Sequence, residues 1–190
     1  MEINAKQFFS RYKIEPRVIE DLTKRIKFST IKKGKYFINY GEKMNRIGIL
    51  LSGLLVSRYE TESGDEIVSK FYYPQGDIIV VDYQSFKKQS SSNEAIRASE
   101  DSYLMTLSYD NFNSLLNNHS SLKEMALSFL EESYLNALER IRSLQILSRE
   151  QRIRNFMEAH PILMQKITAT DKASYLGMHR NIFSKKLKSL

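Results

Sequence analysis

Asp171-Lys172-Ala173-Ser174-Tyr175-Leu176-Gly177-Met178-His179-Arg180-Asn181-Ile182-Phe183-Ser184-Lys185-Lys186-Leu187-Lys188 reads as two short helices hinged at Gly177. In the first, Ala173 and Leu176 are spaced to meet a core. In the second, Ile182, Phe183 and Leu187 face inward, while His179, Arg180, Asn181, Ser184, Lys185 and Lys188 face outward. A glycine permits the tight turn, and a second amphipathic helix then offers polar and basic side chains to a groove. This is the layout of a helix-turn-helix. Any small helical hairpin has an apolar and a basic side, so the rest of the chain must decide.

Charge favours the groove. The net charge is +7, from 29 basic and 22 acidic residues. Residues 148–190 hold nine Lys or Arg against three Asp or Glu, a balance of +6, which leaves only +1 for residues 1–147. A basic segment beside a near-neutral body is the footprint of a polyanion-binding module. A membrane surface is the competing polyanion, but it requires exposed bulky apolar residues opposite the basic ones. Here those residues close the hairpin's own core.

With 190 residues and 42% hydrophobic content, the chain fits one large or two small globular domains. No apolar run is long enough to span a bilayer. The N-terminal stretch MEINAKQFFSRYK mixes charge with aromatics and lacks the uninterrupted apolar core of a secretory signal. Cysteine is absent, which excludes disulfides, thiolate zinc sites and cysteine-ligated iron–sulfur clusters in this chain. A cytoplasmic location is the expectation.

Residues 4–12 and 16–26 read as short helices, the second opened by Pro16. Between Phe28 and Leu107 short apolar runs recur between glycine turns at Gly34, Gly41, Gly53, Gly64 and Gly76. The runs are Tyr36–Asn39, Arg46–Leu51, Leu54–Glu60, Glu66–Tyr73, Asp77–Val81, Ala95–Ala98 and Tyr103–Leu107, a pattern that predicts an antiparallel sandwich or jelly-roll barrel. Lys87–Asn93 reads as a polar, mobile loop. Ser108 or Asp110 opens a helix over Phe112, Leu115 and Leu116, and a longer helix follows over about Ser120–Leu147. On it Leu127, Leu130, Tyr134, Ala137, Ile141 and Leu144 step by alternating threes and fours, a coiled-coil-like seam that predicts a two-fold homodimer. Ser148 with Gln151 has capping-box spacing for a helix that ends before Pro161.

This order of parts resembles the Crp–Fnr transcription regulators over nearly the whole chain. In the barrel the resemblance rests on Lys33-Gly34, Gly41-Glu42, Ile49-Leu50-Leu51-Ser52-Gly53, Gly64-Asp65-Glu66 and Pro74-Gln75-Gly76-Asp77, then on Ala98-Ser99-Glu100-Asp101 with Leu104. Further on it rests on Gln151-Arg152, Phe156, Pro161 and Ala173-Ser174-Tyr175-Leu176-Gly177. It implies an α+β fold with an antiparallel, jelly-roll-like, cyclic-nucleotide-binding-like β-barrel, a long dimerisation helix and a C-terminal helix-turn-helix. The expected divisions are residues 1–118 for the sensor-like barrel with flanking helices, 119–147 for the dimerisation helix and 148–190 for the DNA-binding domain. Departures also show: Lys172 stands where the family has an apolar residue, His179 replaces a Ser or Thr cap, and the sequence ends at Leu190 without the β-hairpin wing of many relatives.

Family fold and family ligand separate here. The resemblance implies a Gly-Glu pair followed by Arg-Ser-Ala or Arg-Thr-Ala for binding a cyclic phosphate. This sequence has no such Gly-Glu pair, and counting back from Ile96-Arg97-Ala98 puts Ser92-Asn93-Glu94 where Arg-Ser-Ala is expected. A buried phosphate would lack its bidentate guanidinium, so no cyclic nucleotide is expected. The pocket candidates are Asp82, Tyr83, Ser85, Ser92, Asn93 and Arg97, for an unidentified small-molecule effector. No metal is expected: residues 28–107 contain no histidine, and His119 and His160 both lie in the helical half. No acid–base pair stands out, so no enzymatic activity is expected.

The motif implies that His179, Arg180 and Asn181 approach base edges, with Ser184 and Lys185 next on the same face. Thr168, Thr170, Lys186 and Lys188 suit phosphate contacts, which position a protein without reading sequence. The expected partners are double-stranded DNA with an inverted-repeat site and a second copy of the chain. The alternative is a small-molecule sensor or protein-interaction module whose helical tail no longer reads DNA.

Overall fold

The computed structural model describes residues 5–190. It opens with α1 (Ala5–Phe9) and α2 (Pro16–Arg25), where Pro16 occupies the first turn and forfeits no helical hydrogen bond. The first helix is shorter than the expected 4–12, because the chain turns after Phe9. Residue 4, and with it the start of the stretch read against a signal peptide and of the 1–118 division, lies outside the described residues.

Eight strands follow: β1 (Lys27–Ile31), β2 (Tyr36–Ile38), β3 (Arg46–Ser52), β4 (Leu55–Glu60), β5 (Glu66–Tyr72), β6 (Ile79–Val80), β7 (Glu94–Ala98) and β8 (Ser102–Ser108). They form two antiparallel four-stranded sheets, in the orders β1-β8-β3-β6 and β2-β7-β4-β5. The jelly-roll expectation holds, with two corrections. Strand β1 was not anticipated, since at the sheet edge Lys27, Phe28 and Thr30 stay exposed and no burial alternation marks it. The predicted loop Lys87–Asn93 begins inside a helix, α3 (Tyr83–Lys88), whose N-cap Asp82 accepts from the Ser85 N–H at 3.1 Å.

The helical half comprises α4 (Tyr109–Asn118), α5 (Ser120–Ile146), α6 (Arg149–Ala159), α7 (Pro161–Lys166), α8 (Ala169–Tyr175) and α9 (Arg180–Leu187). Ser108 caps α4, and Ser148 with Gln151 forms the expected capping box on α6. Helix α6 ends at Ala159, before Pro161 as expected, and Pro161 then opens α7, a helix the sequence reading did not include. Among the described residues no helix is long and apolar enough to cross a membrane.

Three buried clusters hold these parts. Phe37, Leu50, Leu55, Tyr72, Ile96 and Leu104 fill the space between the sheets. Phe9, Val18, Leu22, Met105, Leu115 and Leu122 join the N-terminal helices to the outer face of the first sheet and to α4 and α5. The third cluster joins β4 and β5 to the last four helices through Val56, Val68, Phe71, Phe156, Leu176 and Phe183. A register shift makes this possible. Ser57 pairs with Lys70 but Arg58 pairs with Val68, so β5 carries one extra residue there. The bulge puts Val68 and Phe71 on the same outer face, while Tyr72 joins the inner cluster.

Candidate nucleic-acid interface and effector cavity

Helix α8 is capped by Thr168, whose hydroxyl accepts from the Asp171 N–H at 3.0 Å and also donates to its carboxylate. The chain leaves α8 through Gly177 at φ 65°, and a Cβ there would stand 2.8 Å from Leu144 and 3.0 Å from Arg152. The positive φ favours glycine, and a Cβ would in addition make the Leu144 methyl and the Arg152 guanidinium shift. Helix α9 then buries Phe183, half-buries Ile182, Ser184 and Leu187, and exposes His179, Arg180, Asn181, Lys185 and Lys188. His179 serves as a long N-cap, its Nδ1 accepting from the Asn181 N–H at 3.4 Å. Thr168 and Thr170 are exposed, whereas Lys186 is ion-paired with Glu150. Lys172 is half-buried; burial pulls its pKa down, and its ammonium donates to the Met164 carbonyl at 2.6 Å.

The barrel holds this helical unit by its back. Around the apolar cluster, Arg58 pairs with Asp171 at 2.8 Å with both side chains only about 15% exposed, and Lys166 pairs with Glu100 at 2.8 Å. The Tyr73 hydroxyl and His160 Nδ1 lie 2.7 Å apart. On the edge strand β5, the Val68 N–H donates to the Ser174 hydroxyl at 2.9 Å and the Val68 carbonyl accepts from Arg140 at 3.1 Å. Arg140 also donates to the Tyr175 carbonyl, and Arg152 donates to the Leu176 carbonyl. Two guanidiniums thus satisfy the carbonyls left unpaired at the end of α8.

Helix α5 leaves its seam uncovered. Leu127, Leu130, Tyr134, Ile141 and Leu144 are between 37% and 62% exposed, and Ala137 is exposed with them. So much aligned apolar surface on one face is what a second helix covers.

A cavity of about 610 Å³ runs from the barrel interior to the N-terminal helices and α5. Of the pocket candidates, Asp82, Tyr83 and Asn93 line it. Ser85 and Ser92 brace it from behind: Ser85 accepts from the Met44 N–H at 3.0 Å, and Ser92 donates to Asp82 at 2.5 Å. Arg97 requires correction. Alternation along β7 sends Glu94, Ile96 and Ala98 inward and Arg97 outward, where its guanidinium donates to the Gly34 carbonyl at 2.9 Å and covers the Tyr36 ring. Glu94 lines the cavity instead. It is 8% exposed and accepts from the Ser69 hydroxyl at 2.8 Å, and among the described residues no cation lies within ion-pair distance of it. Burial pushes the Glu94 pKa up, and Asp82 adds to that push. Tyr59, against the same carboxylate, is pushed up to about 12, chiefly by burial. Among the described residues no group of three or more metal-ligating side chains gathers.

FixK2 from Bradyrhizobium japonicum superposes with a TM-score of 0.73 at 13% identity, covering 87% of this chain and 84% of that one. The c-di-GMP responsive global regulator CLP from Xanthomonas campestris gives 0.72 at 15% identity, covering 92% and 91%. A chain from Eubacterium rectale assigned to the crp/fnr family of transcriptional regulators gives 0.73 at 15% identity, covering 93% and 83%. The fold is that of the Crp–Fnr regulators. No protein-family model matches the sequence, and no curated protein matches it.

Within the Crp–Fnr fold, sequence reasoning missed the groups that join its two ends. Arg140 lies beside the seam on α5 and reads as one more exposed cation. Lys70, which donates to Ser133 at 3.0 Å and pairs with Asp77 at 3.3 Å, reads as an ordinary strand residue. Only three-dimensional adjacency singles them out.

Proposed function

We propose that this chain is a dimeric, sequence-specific DNA-binding transcription regulator of the Crp–Fnr type, acting in the cytoplasm and gated by a small molecule other than a cyclic nucleotide. The observation that carries the reading is α9. Its exposed face offers Arg180, Asn181, Lys185 and Lys188 together, on a segment with a balance of +6, and the barrel packs only on the opposite side. Arg suits guanine, Asn suits adenine, and the helix fits a major groove. In this reading His179, Ser184 and Lys185 extend the base-facing surface, and Thr168, Thr170 and Lys188 meet phosphates. Lys186 joins them only by exchanging Glu150 for DNA.

The uncovered seam on α5 supports a two-fold dimer, which sets two copies of α9 on half-sites about one helical turn apart. Residues 1–118 then form the sensor part, 119–147 the dimerisation helix and 148–190 the DNA-binding part. CLP responds to c-di-GMP. Here the inner position of β7 carries Glu94, and a phosphate beside that carboxylate would meet repulsion where it needs a guanidinium.

The test is the affinity of the full-length protein for sheared double-stranded DNA, measured by fluorescence anisotropy at several salt concentrations. Log affinity is expected to fall linearly with log salt, with a slope of about −0.9 for each phosphate neutralised. Arg180→Ala is expected to lose about 1–3 kcal/mol of preference for the selected site over mixed sequence. Absence of DNA binding at about 50 mM salt, where phosphate contacts are strongest, would contradict the reading.

A further inference from the structure

The cavity has two chemically different ends. Toward the N-terminal helices and α5 its walls are Phe9, Leu22, Ile49, Met105, Leu122 and Phe129, all of them apolar. Toward the barrel interior it meets Asp77, Asp82 and Glu94, with Glu132 from α5, and one cation, Lys70. That ammonium is already engaged by Asp77 and Ser133. Among the described residues, four acidic residues and one lysine line this end. Tyr83, Asn93 and Glu132 are exposed along this end, so a head group reaches it from solvent, while an apolar tail fits behind it.

The two ends constrain the occupant. An anion entering beside Glu94 and Asp82 would meet like charge, and Arg97, the nearest guanidinium on β7, points out of the barrel. A purely apolar molecule would fill the far end but leave Glu94 without a counter-charge. A protonated amine supplies what Glu94 lacks, a cation at a buried carboxylate whose other partners are hydroxyls. The volume of about 610 Å³ lies inside the range of about 300–1,000 Å³ usual for small-molecule sites.

We propose that this cavity binds a small amphipathic amine, with its cationic head at Glu94 and Asp82 and its alkyl or aryl tail against Phe9, Leu122 and Phe129. The proposal rests on the effector-gated reading above for its consequence, not for the binding itself. That consequence follows from Leu130, which lines the cavity and is also a residue of the seam on α5. An occupant that braces this wall bears directly on the helix pairing that sets the two recognition helices.

The experiment is calorimetric titration of the full-length protein with decylamine, decanol and decanoate, three probes with one tail and three heads, each below its aggregation concentration. Decylamine is expected to bind one per chain and at least about tenfold tighter than decanoate. Glu94→Gln should remove that preference. Ala126→Phe, which fills the cavity wall without touching the acids, should weaken all three. Circular dichroism and the mass of the assembly confirm that both variants fold. Decanoate binding as tightly as decylamine would overturn the proposal, as would a preference that survives Glu94→Gln or the absence of binding by all three probes. DNA binding is measured on the same samples. Amine binding in a protein that never binds DNA would sink the regulator reading and leave the cavity assignment standing.

Discussion

The two faces of β4 and β5 are made from the same thirteen residues of strand, yet they do opposite work. The inner face presents Tyr59, Lys70 and Tyr72 to a cavity that also holds Glu94. The outer face presents Val56, Val68 and Phe71 to a closed apolar cluster shared with α6, α8 and α9. Inside, polar groups surround open space; outside, aromatic rings leave none. The difference teaches how a fold with two ends becomes one device. What enters the cavity touches the strands whose backs carry α8 and α9, and packed strands move as units rather than residue by residue.

Breaking the outer face should have the largest effect. Phe71 lies 5.0 Å from the Tyr175 ring and 6.4 Å from that of Phe156. Phe71→Ala is expected to cost about 3–5 kcal/mol, read by denaturant unfolding. Hydrogen exchange should quicken in α8 and α9 before it does in the inner cluster. Equal quickening in both would mean that the two faces are not separable.

Gly177→Ala is the next largest. A Cβ at φ 65° would press on Leu144 and Arg152, and a loss of about 1–3 kcal/mol is expected. The loss should appear with the helical unit, leaving the affinity of the cavity for decylamine unchanged. A change in that affinity would show that the two ends are coupled even at rest.

The smallest effect sharpens the comparison through pH. Glu94 on the inner face has its pKa raised by burial, so the folded state holds the proton more tightly than the unfolded state. Its contribution to stability is full below the ordinary value of 4.5 and is lost as pH rises through the raised value. His160 on the outer face has its pKa lowered by burial, with Asp77 opposing, so the neutral ring is favoured. Its contribution is full above 6.5 and is lost as pH falls through the window below 6.5. Glu94→Gln should therefore flatten the stability profile on the acid-favouring side and His160→Gln on the opposite side, checked by melting temperature from pH 4 to 8. Profiles that shift in the same direction would contradict these assignments.

The helix-turn-helix was legible because Gly177, the apolar spacing of α9 and the basic balance of the last 43 residues agree with one another. Glycine turns gave away most of the barrel in the same manner, and the alternating threes and fours on α5 gave the seam. The docking of the last four helices on β5 was not legible. Strict alternation would put Val68 and Phe71 on opposite faces, and only the bulge beside Ser69 brings them together. Glu94 was half legible, since counting residues put Ser92 where a phosphate binder has arginine and an acid two residues on. Its burial without a cation is a property of the folded barrel. Arg97 shows the converse: its charge drew it into the pocket candidates, but one strand position decided that it faces outward.

The most direct test of the central claim is selection of bound fragments from sheared double-stranded DNA by the purified full-length protein at near-physiological salt, followed by sequencing. A dimeric regulator predicts enrichment of a two-fold symmetric site with half-sites about one helical turn apart, and loss of that enrichment with Arg180→Ala. Fragments retained without a common site, or none retained either with or without decylamine, would contradict it.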